Sequence, residues 1–495
     1  MWSAHRRGKA QTNSTLRTGR SPSLPWISTP RPNNPPRIHI TPKVDLPRRP
    51  NPRNILFPMT KILLIGSGAR EHAMLKALVR SPQKPSIQVY GSTDNPGLSS
   101  QSSAYRTGSL TDVESIVGFA KEVGSELAVV GPEAPLEAGA TDALIAAGIP
   151  TAGPRKDGAR IESSKGFARD LLLKNHIPGS PLYRRFTSLV GVAPFLAEMG
   201  DDFVVKADGL MGGKGVKVSG EHLHSQNEAL SWCREILDAG SEFVIEEKCV
   251  GPEFSLFTFS DGESVVHSPL VQDHKRAYEG DTGPNTGGMG SYSMPDHRLP
   301  FVEESDYAAA VTMNERTLEA LAAETGSPYR GILYGGFMAT ADGICLIEYN
   351  ARFGDPECMN LLTLFEGDFL DAVRGMATGS LDPSGIGFRK EASVCKYLVP
   401  EGYPDRPKKL FSIDLSGVPD CKNLFLGSVD KREGKLLAAG SRTLAFVGTG
   451  KTLEEAEKEA ESLAKTVPGT LFHREDIGTA ALVQQRTDLI KSLRG

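Results

Sequence analysis

Between residues 61 and 150, short apolar runs alternate with longer stretches whose apolar residues recur every three or four positions. The short runs are typical of buried strands, and the longer period is typical of amphipathic helices. The predicted strands span 61–65, 87–91 and 127–130, and the predicted helices span 70–80, 113–123 and 138–147. Because strands that alternate with helices form parallel sheets, residues 60–160 are predicted to be a doubly wound α/β domain.

The loops that follow the strands of such a sheet usually carry the ligand. Here they are residues 66–71, 92–97 and 131–135. In the first loop, Glu71 stands where a dinucleotide-binding turn needs its third glycine, and a carboxylate there would repel a pyrophosphate. This residue argues against NAD as the ligand. The helix N-terminus, with Arg70, could hold a single phosphate, and a purely structural turn is the alternative.

Beyond residue 160 the pattern changes to a helix at 164–175 and then to pairs of apolar runs. The pairs are 203–207 with 216–219, 243–246 with 254–259, and 332–339 with 344–350. Runs joined by short turns form antiparallel hairpins, so this region is predicted to be α+β. The block from 389 to 495 has short strands of its own and a charged helix at 453–465, which indicates a further small domain.

One segment, residues 272–290, has neither a helical nor a strand period and is rich in glycine and in charges of both signs. Glycine allows backbone amides to close around a ligand, and the charged side chains can pair with it. An irregular solvated loop is the simpler explanation. The length and specific polar content favour a substrate loop.

A second glycine-rich loop follows the apolar run 203–207 and carries Lys214. It is not a phosphate-binding P-loop, because Asp208 and Gly215 occupy the positions that need glycine and Ser or Thr. A hairpin flap that folds over a triphosphate, with Lys206 reaching in from the strand, fits better than a solvated hairpin.

The run 344–350 ends with Glu348 and Asn350, which share one face of a strand because side chains alternate. Two oxygen donors on one face suit Mg²⁺, and Arg352 beside them can clamp a carboxylate. A polar strand end with an ion pair explains the same residues equally well.

Charge is distributed unevenly along the chain. Residues 1–58 carry nine Arg, two Lys and eleven Pro against the single acid Asp45, a net charge of +10 that leaves −14 for the remainder of a chain whose total is −4. We expect this extension to be disordered, since it cannot bury enough apolar surface to offset chain entropy. A transit peptide for organellar import ranks second, and a basic tail or an upstream start before Met59 are the alternatives. The acidic body argues against nucleic-acid binding.

No apolar run reaches the roughly 18 residues that span a bilayer, so no membrane partner is expected. The six cysteines lie far apart without any C-x-x-C pair. This spacing argues against a zinc site, a redox motif or a disulfide framework, and a reducing, cytoplasmic location fits.

Together these segments resemble the ATP-grasp superfamily, and within it the glycinamide ribonucleotide synthetase family of purine biosynthesis. The matching motifs, in order, are 66–72 (GSGAREH), 131–136 (GPEAPL), 206–215 (KADGLMGGKG), 272–290 (QDHKR…GDTGPNTGGMG), 348–357 (EYNARFGDPE) and 472–478 (FHREDIG). The resemblance implies an N-terminal pre-ATP-grasp domain at 60–160, an ATP-grasp domain at 161–388 with a flap subdomain at about 182–250, and a C-terminal α+β domain at 389–495.

The family's chemistry joins glycine to 5-phospho-β-D-ribosylamine while ATP is cleaved to ADP and phosphate, through a glycyl phosphate. The resemblance implies Mg²⁺ or Mn²⁺ at Glu348 and Asn350. The residues implied to bind ATP are Lys165, Lys206, Gly209, Gly212, Gly213, Lys214, Gly215, Glu246, Glu247, Val250 and Glu253. We expect a monomer or weak homodimer.

Three residues are expected to act at the reaction centre: Lys206 on the phosphates, Arg352 on the carboxylate of glycine, and Asp273 on its ammonium. The resemblance places further substrate contacts at Gly68, Arg70, Glu71, Asn95, Gly97, Pro132, Glu133, Lys275, Arg276, Asp281, Asn285, Thr286, Gly287 and Arg352. Small departures from the family pattern occur at Ala69, Gly212 and Ser441. A bicarbonate-using ATP-grasp carboxylase is the nearest rival, and a non-catalytic nucleotide sensor is the alternative from another class.

Overall fold

The computed structural model describes residues 59–211, 215–419 and 423–495. They belong to one compact unit. The prediction of disorder for residues 1–58 lies outside the described residues, and so do the flap predictions for Gly212, Gly213 and Lys214.

The N-terminal region is the predicted doubly wound sheet. Its elements are β1 (Lys61–Ile65), α1 (Ala69–Val79), β2 (Ser86–Gly91), α2 (Pro96–Ser99), β3 (Ala104–Thr107), α3 (Val113–Val123), β4 (Leu127–Val130), α4 (Glu133–Ala138), α5 (Ala140–Ala146) and β5 (Thr151–Ala152). The strands are parallel in the order β3-β2-β1-β4-β5. The helix predicted at 138–147 is α5, and the sequence did not predict α4 directly before it. The two helices meet at Gly139, which adopts a left-handed conformation.

A small antiparallel sheet with its own core follows. The elements are α6 (Lys156–Ser163), α7 (Lys165–Lys174), β6 (Tyr183–Phe186), α8 (Val192–Met199), β7 (Phe203–Ala207), β8 (Val216–Val218), α9 (Gln226–Asp238) and β9 (Phe243–Glu247). The strand order is β6-β9-β7-β8. Its buried side chains, including Phe186, Phe195 and Phe243, form a cluster separate from the main core, as a subdomain requires.

The larger antiparallel sheet has the order β11-β10-β16-β17. The elements of this part are β10 (Glu253–Ser260), β11 (Val265–His267), β12 (Gln272–Asp273), β13 (Arg276–Tyr278), β14 (Thr282–Asn285), β15 (Gly290–Ser293), α10 (Glu304–Thr325), β16 (Gly331–Thr340), β17 (Gly343–Asn350), α11 (Glu357–Leu364), β18 (Phe365–Glu366), α12 (Phe369–Thr378) and β19 (Gly387–Phe388). The predicted pairing of 332–339 with 344–350 is confirmed by the β16–β17 register.

The last region extends a third sheet. Its elements are β20 (Ala392–Pro400), β21 (Leu424–Leu426), β22 (Val429–Arg432), β23 (Lys435–Ala438), β24 (Leu444–Gly450), α13 (Leu453–Ala464), β25 (Leu471–Phe472) and α14 (Ala480–Arg494). The sheet order is β12-β15-β20-β24-β21, and β25 pairs with β20. Two strands from the segment 272–293 therefore belong to the same sheet as the C-terminal region.

Two predictions about local structure are wrong. The run 243–246 does not pair with 254–259, because β9 lies between β6 and β7 in the small sheet whereas β10 pairs with β11 and β16 in the larger one. Alternation identifies a strand but cannot identify its partner. The segment 272–290 is also more regular than predicted: it contains β12 and the β13–β14 hairpin.

The cysteine prediction is wrong for one pair. Cys249, in the linker between β9 and β10, forms a disulfide with Cys345 of β17 across 96 residues of sequence. Separation along the chain does not limit proximity in space, so the spacing argument could not exclude this pair. Cys233, Cys358 and Cys395 are buried free thiols. Within the described ranges, no helix is both long and apolar enough to cross a membrane.

Candidate active site

The base of the flap is fastened to the start of α7. Asp208, just after β7, accepts hydrogen bonds from Ser164 Oγ at 2.8 Å and from the Lys165 amide. Lys165 Nζ in turn donates to the carbonyl of Gly209 at 2.9 Å. Because Gly209 has a φ of +96°, a side chain there would be strained. Lys165 therefore lies beside the base of the flap.

A buried ion cluster lies between the two antiparallel sheets. Lys206 Nζ is 2.6 Å from Glu246 Oε2 and donates to the Ile347 carbonyl at 3.0 Å. Arg169 holds the same carboxylate bidentately, at 2.8 and 3.0 Å. Burial lowers the pKa of Lys206. Burial opposes the charged form of Glu246 as well, but Arg169 and Lys206 bring its pKa down to about 2.

This cluster changes the role expected for Glu246. Its carboxylate is bound to Arg169 and Lys206, so the ATP contact predicted for Glu246 would fall to its backbone. Glu247 and Val250 are exposed there, and Glu253 pairs with Lys275 at 3.1 Å. Sequence reasoning missed Arg169, because a helical arginine is ordinarily a solvated residue.

Replacing Glu246 by alanine should destabilise the fold strongly. Arg169 and Glu246 are each only 3% exposed, and breaking a buried pair by removing one partner costs about 3–5 kcal/mol. Urea unfolding of E246A should show a clear fall in the midpoint. The neighbouring exposed Glu247→Ala serves as the control, with a change within about 0.5 kcal/mol. Equal midpoints for the two variants would contradict the assignment.

At the end of β17, Glu348 and Asn350 do lie on the same face. Asn350 Nδ2 donates to Glu348 Oε1 at 3.4 Å. Burial would raise the pKa of Glu348, but the cations Lys275, Lys206 and Lys165 lower it. The three lysines lie far apart along the chain, and the fold brings them together around one ionised carboxylate.

Arg352 lies beside this pair and already has carboxylate partners. Its Nη2 is 2.9 Å from Glu162 and its Nε is 3.4 Å from Glu133, and Nη2 also donates to Asn350 Oδ1 at 3.4 Å. Although burial raises the pKa of a carboxyl group, Arg352 and Arg70 bring that of Glu133 to about 2. The N-terminal domain therefore contributes directly to the surroundings of Arg352, with Pro132 as the N-cap of α4.

Two residues of the N-terminal loops, Glu71 and Asn95, have hydrogen-bond partners within the protein. The Glu71 carboxylate accepts from the Gly68 amide at 2.7 Å and lies 2.6 Å from Arg70 Nε. Asn95 is fully buried, and its Nδ2 donates to Ser67 and Leu426 carbonyls while Oδ1 accepts from Gly97. These side chains hold the loops in shape, and their contact with substrate stays a prediction. The α1 N-terminus already holds a carboxylate of the chain itself.

Asp273 stands out in the segment 272–290. Its Oδ1 is buried and has no hydrogen-bond partner among the described residues. Burial, and then the neighbouring Glu357, raise its pKa well above the usual value. A Cβ added at Gly288 would come within 2.6 Å of Asp273 Oδ1, so only glycine fits there. Asp273 is therefore a desolvated carboxyl group that lies close to Gly288.

The remaining predicted residues of this segment divide into two groups. Lys275 stands near Glu348, while Thr286 Oγ1 donates to the Lys275 carbonyl at 2.9 Å and Asn285 is exposed. Asp281 and Arg276 instead have protein partners: Asp281 is bound by Arg474 and Arg486, and Arg276 by Glu221. The carboxylate of Asp281 thus has two arginine partners within the protein, and its contact with substrate stays a prediction.

Arg442, which sequence reasoning did not assign, reaches in from the C-terminal region. Its Nη1 donates to the carbonyls of Gly287 and Asp355, each at 2.6 Å. Tyr397 supports the same place through a 2.6 Å hydrogen bond to Asp355. Arg442 directly follows Ser441, which departs from the family pattern. That position was the sequence feature that could have drawn attention to Arg442.

The three sheets and the charged junction between them define an ATP-grasp protein with an N-terminal and a C-terminal domain. The chain belongs to the phosphoribosylglycinamide synthetase family. Residues 60–162 match the family's N domain, residues 163–358 its ATP-grasp domain, and residues 393–480 its C domain.

Curated relatives agree with this family. The phosphoribosylamine–glycine ligase of Methanosarcina barkeri is 46% identical over 435 residues, covering 88% of this chain and 100% of that protein. The protein of the same name from Methanoregula boonei is 47% identical over the same length, with the same coverage of both chains.

Solved structures agree as well. The crystal structure of phosphoribosylamine–glycine ligase from Thermotoga maritima has a TM-score of 0.72 at 29% identity, covering 84% of this chain and 100% of that one. The biotin carboxylase domain of the 2-oxoglutarate carboxylase of Hydrogenobacter thermophilus has a TM-score of 0.64 at 15% identity, covering 87% and 94%. This second likeness is one of fold alone.

Proposed function

We propose that the protein is a phosphoribosylamine–glycine ligase of purine biosynthesis, which joins glycine to 5-phospho-β-D-ribosylamine and releases ADP and phosphate. The observation that carries the assignment of the amino-acid substrate is the buried, unpartnered carboxylate oxygen of Asp273. A desolvated carboxylate is costly unless a cation pairs with it, and the ammonium of glycine is such a cation. Family membership supports the rest of the reaction.

The chemistry has two steps. An oxygen of the glycine carboxylate attacks the γ-phosphorus of ATP, the bond to the β-phosphate oxygen breaks, and ADP leaves. The amine of phosphoribosylamine then attacks the carbonyl carbon of glycyl phosphate, the bond to the phosphate oxygen breaks, and the amine proton is lost as the amide forms. A carboxylate is already a nucleophile, so position and electrostatics supply most of the rate.

The phosphates of ATP are assigned to the cations that surround Glu348. Lys165 and Lys206 would neutralise them, and Gly209 with the flap residues up to Gly215 would cover them and exclude water from glycyl phosphate. Lys206 is held for this task by Glu246 and the Ile347 carbonyl. Glu247 and Val250 are assigned to the adenine, and Glu253 to the ribose hydroxyls.

A divalent cation, Mg²⁺ or Mn²⁺, is assigned to Glu348 and Asn350. The donor set fits a hard cation, since it offers one ionised carboxylate and one amide oxygen on the same strand face. Such an ion supplies charge neutralisation as the phosphoryl group moves. Lys275 would stay beside the same carboxylate and limit the excess negative charge there.

Glycine would lie between Asp273 and Arg352. The guanidinium would orient the carboxylate, and Asp273 the ammonium. Phosphoribosylamine is assigned to the N-terminal loops around Gly68 and Gly97, to Arg70, Pro132 and Glu133, and to Lys275, Arg276, Asn285, Thr286 and Gly287. Arg442 joins this group, because it holds the carbonyls of Gly287 and Gly288.

The domain limits 60–160, 161–388 and 389–495, a cytoplasmic location and a monomeric or weakly dimeric state remain predictions. The pattern of elements supports the domain limits.

The test is ADP release by the purified protein with ATP and Mg²⁺. Freshly generated phosphoribosylamine plus glycine is compared with bicarbonate plus aminoimidazole ribonucleotide, and with bicarbonate plus biotin. Turnover with the glycine pair alone is the expected result. Turnover with bicarbonate alone would keep the fold and overturn the assignment of Asp273 and Arg352.

A further inference from the structure

The tip of the β13–β14 hairpin, residues 279–281, is held by the C-terminal end of the chain. Arg474 Nη1 is 2.8 Å from Asp281 Oδ1, and Arg486 of α14 binds Asp281 Oδ2. The amide of Gly280 donates to Asp476 at 2.9 Å. Two C-terminal arginines and one aspartate therefore hold two consecutive residues of the tip, Gly280 and Asp281.

The geometry of this contact is specific. Arg474 is 1% exposed, and its remaining donors bind Asp476 at 2.8 and 2.7 Å and the Arg276 carbonyl at 3.1 Å. Asp281 has a φ of +53°, a left-handed conformation that non-glycine residues seldom adopt unless their surroundings hold them there. Burial opposes the charged form of Asp281, but His274 and the arginines lower its pKa.

The hairpin connects this contact to the proposed chemistry. Asp273 lies in β12, two residues before Lys275 and three before the hairpin begins. Gly288, against which Asp273 fits, follows β14 by three residues. Arg442 holds Gly287 and Gly288 at the base of the hairpin, and the arginines hold its tip. The tip of the hairpin and the residues that follow its second strand are thus both fixed by residues beyond position 440.

We propose that Arg474 and Arg486 are positioning residues, which hold the hairpin so that Asp273 and Lys275 face the substrates. The inference rests on the proposed function for its substrates but not for the contact itself. Loss of Arg486 removes one of the two charged partners of Asp281 and loosens the tip, although Arg474 and Asp476 still contact it. The segment 272–290 then becomes more mobile. A displacement of about 1 Å at a substrate-positioning group can cost on the order of 100-fold in rate.

If Arg486 had a purely structural role, it would only attach α14 to the rest of the protein. Arg494 provides a matched control for this alternative. Arg494 lies on the same helix and binds Asp306 of α10 with both Nη atoms at 2.9 Å, and its partners among the described residues lie outside the hairpin. R494A should loosen the helix without loosening the tip. R486A should loosen the tip.

The experiment compares R486A, R486K and R494A in the full chain by steady-state kinetics and by hydrogen exchange of the amides of residues 276–286. R486A should raise KM for glycine and phosphoribosylamine about tenfold with KM for ATP within twofold, and exchange in the hairpin should rise about tenfold. R486K should recover part of both effects. R494A should change neither the KM values nor the exchange of the hairpin amides. Adding R486A to D281N should raise the KM values for glycine and phosphoribosylamine no further.

Hairpin exchange in R486A equal to that of R494A would overturn the inference, and so would an equal rise of all three KM values. Exchange does not depend on turnover. A wild-type protein without glycine-dependent ADP release would therefore contradict the proposed function, while the exchange result would still decide whether Arg486 holds the hairpin.

Discussion

Replacing Glu348 by glutamine should lower kcat by about 100-fold or more and raise the Mg²⁺ concentration that gives half-maximal activity. The glutamine keeps the shape and one oxygen but removes the charge that lies among Lys275, Lys206 and Lys165. Losing one preorganised electrostatic group in a desolvated site typically costs on the order of 100- to 1,000-fold. The Mg²⁺ titration of ADP release measures both effects.

The control is Glu263→Gln, an exposed glutamate in the turn between β10 and β11, which should behave as the wild type. Asn350→Asp should keep activity within about tenfold, because it still offers oxygen to the cation. Unchanged metal dependence in E348Q would remove Glu348 from the proposed cation site.

Replacing Asp273 by asparagine should have opposite effects on activity and stability. KM for glycine should rise by about 100-fold, because the amide cannot neutralise an ammonium in a desolvated place. The free protein should become more stable at neutral pH, because burial penalises the charged carboxylate of Asp273 and the amide of asparagine is neutral. Glycine kinetics and urea unfolding without ligand measure the two effects.

The stabilisation should depend on pH in a defined direction. The folded-state pKa of Asp273 is raised above its unfolded value, so the folded protein retains the proton more strongly. The stability that the wild type has at low pH is therefore lost as pH rises from the unfolded pKa through the folded one. D273N should not show this loss of stability as pH rises. The difference in free energy of unfolding between D273N and the wild type should therefore be larger at pH 7 than at pH 4.

An exposed acid of the same hairpin, Glu279, provides the control, and E279Q should change neither the urea midpoint nor KM for glycine appreciably. A lower urea midpoint for D273N would mean that Asp273 has a stabilising partner. An unchanged KM for glycine would show that the ammonium binds elsewhere.

How much of the site could be read from the sequence depends on the range of the interactions involved. Glu348 and Asn350 were predictable as a pair, because strand alternation puts residues two apart on one face whatever the rest of the fold does. Asn95, Asp281 and Glu246 lie in or near recognisable motifs, but their side chains bind residues far away along the chain. Those partners could not be predicted from the sequence. Neither Arg169 nor Arg442 belongs to a local pattern.

The sequence by itself determined the parallel N-terminal sheet, the main strands and the order of the glycine-rich and charged segments, because these follow from hydrophobic period and local backbone chemistry. Only the tertiary structure decided that β9 and β10 belong to different sheets, that Cys249 meets Cys345, and that Asp281 is bound by residues almost 200 positions later. Pairing and burial depend on which surfaces meet after the chain has folded, and a one-dimensional pattern does not specify them.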